Sequence, residues 1–206
     1  MKKSVKIFAV TLMMCLAAGS AFAKPKKQKK ADAGSERERL SFSVYGRDHM
    51  VSIPLPDYWT VDMNVAHQNN FNGFFYIAEK GINESPAYIF LNLYPKREDA
   101  TFSDFVEYQT TSLAEFQKKY SVEKTGSETV QRTMNNWNIE VYDVKIKEGH
   151  GHYQKIAYME CENKYYVEIY IDCFDDTFAD NDKYVNDFVE CYRSIDYLNV
   201  SFNVAQ

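Results

Sequence analysis

From residue 40 onward the chain switches between two hydrophobic periods. Period two comes first: residues 40–44 and 50–53 alternate apolar and polar positions on either side of Gly46-Arg47-Asp48, the pattern of a hairpin. Pro54-Leu55-Pro56-Asp57-Tyr58-Trp59 then breaks regular structure, because each proline lacks a donor and fixes φ. Residues 60–64 and 73–78 read as short extended runs. In AYIFLNLY, residues 87–94, Ala87, Ile89, Leu91 and Leu93 fall on one face of a strand and Tyr88, Phe90, Asn92 and Tyr94 on the other.

The period then changes. Phe102, Phe105, Val106, Gln109, Leu113, Phe116 and Tyr120 recur at helical spacing, so residues 101–120 predict an amphipathic helix. Thr101, with Asp104 three residues on, suits its N-terminus as a near capping box. Strands are expected at residues 129–132, 137–147, 153–161 and 165–173. The tight turn Glu162-Asn163-Lys164 sets a register in which Met159 faces Val167 and Ala157 faces Ile169. That register places Val167, Ile169 and Ile171 on one face and Glu168, Tyr170 and Asp172 on the other. Tyr184, Val185, Phe188, Val189, Tyr192 and Ile195 form the stripe of a last helix over residues 181–195. Strands, helix, antiparallel strands and helix, without regular βαβ alternation, define an α+β class. The expected architecture is a single antiparallel sheet with helices packed on its faces.

This order of elements, with Ile53-Pro54-Leu55-Pro56-Asp57-Tyr58-Trp59 near its start and Tyr192-Arg193-Ser194-Ile195 at its close, resembles the PsbP-like family. That family includes the extrinsic photosystem subunit, a Ran-binding import factor and bacterial DcrB-like relatives, and the resemblance spans residues 40–196. It implies a PsbP-like sandwich and a non-catalytic binding or scaffold domain. It carries over no ligand residues.

Residues 1–23 add a compartment. Lys2, Lys3 and Lys6 precede an apolar run over residues 7–18, and Ala21-Phe22-Ala23 is an A-x-A processing site, so a signal peptide cleaved after Ala23 is expected, with a periplasmic or secreted product. Met14 stands where a lipobox before Cys15 needs a small residue. Residues 24–39, opening KPKKQKK, read as a basic flexible linker, and residues 40–206 as a single α+β domain. Of the 24 Lys+Arg and 29 Asp+Glu in the chain, eight lysines and Asp32 precede Ser35, leaving 16 bases against 28 acids and a net charge of −12. An acidic domain is repelled by phosphate backbones, which argues against nucleic acid as a partner. The basic tail suits weak contact with anionic lipid.

Chemistry is sparse. The sequence contains no G-x-S-x-G elbow, phosphate loop or H-E-x-x-H, so neither an enzyme nor a cofactor is expected. His150 and His152 in Gly149-His150-Gly151-His152 are the metal candidates, against the reading of a glycine-rich hairpin turn. They support an alternative function as a metal-handling envelope protein. Asp172, Asp175, Asp176, Asp180 and Asp182 crowd before the last helix, with capping and solvation as their reading. Cys161 with Cys191 is the disulfide candidate, since the last helix should run back along the 165–173 strand; reduced core cysteines are the other reading. What remains is an aromatic face carrying Tyr88, Phe90, Tyr94, Tyr142, Tyr158, Tyr166 and Tyr170. Tyrosine is enriched at interfaces, so Tyr88, Tyr142, Tyr158 and Tyr170 are the candidate contacts for an envelope protein or exported polypeptide.

Overall fold

Hydrogen-bonding geometry at a proline-rich corner organises the computed structural model, which describes residues 39–46, 49–116, 120–132, 136–146, 153–160, 164–173 and 182–199. The elements are β1 (Arg39–Tyr45), β2 (His49–Pro56), β3 (Trp59–Val61), α1 (Met63–Gln68), β4 (Gly73–Ile77), β5 (Ala87–Pro95) and α2 (Phe102–Phe116), followed by β6 (Tyr120–Gln131), β7 (Asn136–Ile146), β8 (Tyr153–Glu160), β9 (Tyr165–Cys173), α3 (Asp182–Ser194) and β10 (Asp196–Asn199). The class is α+β with antiparallel strands. The strands form two sheets rather than the one expected: a three-stranded sheet ordered β1-β2-β10 and a seven-stranded sheet ordered β3-β4-β5-β9-β8-β7-β6.

The prolines explain the division. Gly46 N–H donates to His49 O at 2.9 Å, so the hydrogen-bonded pairs with β1 fall on the odd residues of β2. The even residues face β10, Pro54 and Pro56 among them, so both prolines, expected to break regular structure, stay within β2 without costing a bond to β1. The β2–β10 ladder ends at Ser52 paired with Asp196, beyond which the prolines have no N–H to offer. The chain then turns at Asp57 and starts a new sheet at β3. Gly46 is required here by close approach, since a Cβ would lie 2.0 Å from the His49 ring. That ring packs 5.0 Å from Tyr165 and 5.6 Å from Tyr197, linking the small sheet to β9.

Three further expectations change. Residues 63 and 64 belong to α1 rather than to an extended run, because the Asp62 carboxylate accepts from Asn64 N–H at 2.9 Å and Val65 N–H at 3.0 Å and caps a helix too short to show periodicity. Tyr120 lies in β6, and β6 runs from Tyr120, not from residue 129. Its polar side chains match an edge strand, which has little to bury. After α3 the chain adds β10. The β8–β9 register is as read, with Met159 paired to Val167 and Ala157 to Ile169, and Thr101 and Asp104 cap α2 reciprocally at 2.8 and 3.2 Å.

Each face of the large sheet has a cover. Ile89, Leu91, Val167, Ile169 and Ile171 pack with Val51, Ile53 and Leu55 of the small sheet, with Phe188 of α3 and with Ile195 just after it. Burying each such side chain is worth about 1.5–3 kcal/mol. The opposite face meets α2 through Phe102, Phe105, Val106 and Leu113. The Leu-Pro-x-x-Trp element anchors α3: the Trp59 indole N–H donates to Asp187 Oδ2 at 3.2 Å, and the Tyr58 hydroxyl donates to the same oxygen. Lys183 Nζ lies 3.9 Å from the centroid of the Tyr58 ring. Asp187→Ala leaves the buried indole donor without this acceptor. It is expected to lower stability by about 1–3 kcal/mol in urea unfolding followed by tryptophan fluorescence, with Asp187→Asn losing less.

Candidate functional site

Alternation along β5, β7, β8 and β9 puts Tyr88, Tyr142, Tyr158 and Tyr170 on one sheet face, as expected. The cross-strand rows run Asn92–Glu168–Tyr158–Glu140 and Phe90–Tyr170–Ile156–Tyr142. Helix α2 lies on this face, and its Phe105 ring stacks on Tyr166 at 4.6 Å and meets Tyr158 edge-on at 5.8 Å. Tyr158 is 1% and Tyr170 6% exposed, which removes both as contacts for a docked partner. Phe90 stacks on Tyr170 at 4.7 Å. Tyr88 is half-buried, and its hydroxyl donates to Ile82 O. Tyr142 lines a groove of about 380 Å³ with Thr110, Thr111, Ala114 and Val122. Its hydroxyl donates to Glu140 Oε2 at 2.8 Å, and Glu140 pairs with Lys124 at 2.9 Å.

Beneath α2 this layer also holds acids. Glu168 is buried, accepting from Asn92 Nδ2 at 2.7 Å and the Tyr94 hydroxyl at 3.3 Å. Burial pushes its carboxyl up to about 7, against the smaller opposing pull of those two hydrogen bonds. Burial, with the charge of Glu168 added, in turn holds the phenols of Tyr158 and Tyr170 well above their ordinary range. Asp172, read from the sequence both as a strand residue and as the first of the acidic cluster, is a buried residue of β9 whose Oδ2 accepts from Gln154 Nε2 at 3.4 Å. Asp175, Asp176 and Asp180 lie outside the described residues.

A second place went unseen in the sequence. Between Lys124 and Gly126 the β6–β7 register shifts, leaving Thr125 as the extra residue of a β-bulge. Its hydroxyl reaches Asp143 Oδ1 at 3.3 Å, and Lys155 Nζ pairs with the same oxygen, both charged side chains being 14% exposed. Above them opens a cleft of about 300 Å³, floored by Gly126 and Val141 and walled by Val189 and Tyr192 of α3. Arg193 Nε bonds Glu128 Oε1 at 3.0 Å on its rim. Burial, then Asp143, raises the Tyr153 phenol beside this pair. The one sequence signal was Thr125-Gly126-Ser127, turn-like residues inside a strand.

The remaining candidates are not brought together. His150, His152 and Cys161 lie outside the described residues, and with Cys161 the proposed pairing to Cys191. Cys191 is buried in α3; Cys173 is buried at the end of β9, where burial and then Asp172 push its thiol up to about 12, far from a nucleophile's range. Among the described residues no group of three or more His, Cys, Asp or Glu is placed to hold a metal ion, and no helix is long and apolar enough to cross a membrane.

The fold is PsbP-like. It matches the crystal structure of the Saccharomyces cerevisiae Ran-binding protein Mog1p with a TM-score of 0.51 and 12% identity, over 78% of this chain and 96% of that one. It matches the solution structure of cyanobacterial PsbP (CyanoP) from Synechocystis sp. PCC 6803 with a TM-score of 0.51 and 11% identity, over 82% and 98%. No protein-family model and no curated protein sequence matches the chain.

Glu168 sets a pH dependence. A carboxyl whose folded value is raised from 4.5 to about 7 binds its proton more tightly when folded. The stability it supports is therefore full below about pH 4.5 and falls as pH rises to about 7, by on the order of 3 kcal/mol. Glu168→Gln is expected to flatten that slope in urea unfolding between pH 5 and 8, gaining on the wild type at the upper end.

Proposed function

We propose that this domain is a non-catalytic binding module, exported to the periplasm or beyond with residues 1–23 removed, whose partner is an envelope protein or exported polypeptide. The observation that carries the reading is the groove beside α2, where Tyr142 stands with Thr110, Thr111 and Ala114 next to the Lys124–Glu140 pair. A tyrosine ring flanked by one cation and one carboxylate offers both apolar area and a means of orienting a peptide. The Ran-binding description of the yeast neighbour is a precedent for association as the work of this fold. The net charge of −12 from Ser35 onward favours a basic partner.

The test combines location with capture. Fractionation of the producing cells should place a form lacking residues 1–23 in the periplasm or medium. Photo-crosslinking from position 111 should trap a polypeptide in the envelope fraction, and Tyr142→Ala should cut the yield at least about tenfold, the effect of losing one interface anchor. Equal yield from Tyr142→Ala removes the groove as the docking site.

A further inference from the structure

The cleft at the β6 bulge lies on the other side of the large sheet from the α2 groove and contains two features that folding does not require. The first is Gly126. Its φ is not in the left-handed region, and a Cβ there would meet only Val141, at 3.5 Å, an ordinary contact. Alanine would therefore be accommodated, and the missing side chain leaves the cleft floor open. The second is the Lys155–Asp143 pair, largely withdrawn from water. Such pairs seldom stabilise a fold more than apolar residues of the same size would. The bulge adds to it by bringing an extra hydroxyl, that of Thr125, onto Asp143.

We propose that this cleft is a binding site for a small neutral polyhydroxylated ligand, of the class of a single sugar residue. The charge pattern selects the class. Lys155 is neutralised by Asp143 and Arg193 by Glu128, so a free anion or cation would meet a like charge beside each opposite one. A zwitterion would have to break both pairs. A hydroxylated ligand leaves them intact: its hydroxyls donate to the remaining lone pairs of the Glu128 carboxylate and accept from the Lys155 ammonium and Arg193 guanidinium protons. Thr125 supplies a further hydroxyl in the same cleft, and Val189 and Tyr192 give an apolar wall for the C–H face of a pyranose. The volume of about 300 Å³ is at the small end of ligand pockets.

The probes are glucose and N-acetylglucosamine, titrated separately into the isotopically labelled chain and followed by amide chemical shifts. At least one is expected to shift the amides of residues 125–128 and 189–193 saturably, with a millimolar Kd. Gly126→Val, which fills the floor, should weaken binding at least about tenfold while leaving the melting temperature within a few degrees of the wild type. If Gly126→Val does not fold, Thr125→Val serves in its place, since it removes a hydroxyl without altering the volume. Absence of saturable shifts with both sugars overturns the proposal. So does binding unaffected by the floor variant, or saturable shifts at these amides with free glycine and with neither sugar.

Discussion

Strand β9 is buried along nearly its whole length, and on both faces. Val167, Ile169 and Ile171 face one way, Tyr166, Glu168, Tyr170 and Asp172 the other, and apart from the half-buried Tyr165 none reaches solvent to any extent. A strand in this state demands two covers, and a single chain of this size supplies them from different materials. The apolar side takes the small sheet and α3; the aromatic side takes α2. The rest of the architecture follows from meeting those two demands at once.

The two covers differ in how they are held. The small sheet and α3 are bound by shape and by a few directed bonds: the Trp59 indole and Tyr58 hydroxyl on Asp187, and the His49 ring between Tyr165 and Tyr197. Helix α2 rests on rings and on a layer that also holds hydrogen-bonded acids. Phe105 touches Tyr94, Tyr158 and Tyr166, and below them lies a carboxyl held by an amide and a phenol. The aromatic excess is thus spent mainly on an interior layer, with Tyr142 at its margin.

Much of this was legible in the sequence where one face of an element is apolar and the element is long. The alternation in residues 165–173 matches β9 residue for residue, the β8–β9 register is as read, and Thr101 with Asp104 marks the start of α2. The missing pieces share a cause: they bury little. Strand β6 sits at a sheet edge with polar side chains, α1 has six residues, and β10 four. The division into two sheets depended on which side of β2 its prolines face, a matter of hairpin register. The candidate site was half legible. Alternation put the four tyrosines on one face, but only the placement of α2 decides that Tyr158 and Tyr170 lie under it. The bulge cleft was not legible, because its parts come from three strands and a helix distant in sequence.

The irregularity at Thr125 has an effect on the society of molecules as well as on the single one. Among the described residues β6 is the outermost strand of a seven-stranded sheet and twelve residues long, a template on which a second chain would otherwise pair in register. The extra residue breaks the spacing of its outward N–H and C=O groups at mid-length, and Lys124 adds a charge at the same point. Neither half of the strand is then long or flat enough to seed edge-to-edge growth, so the bulge works against aggregation at high concentration.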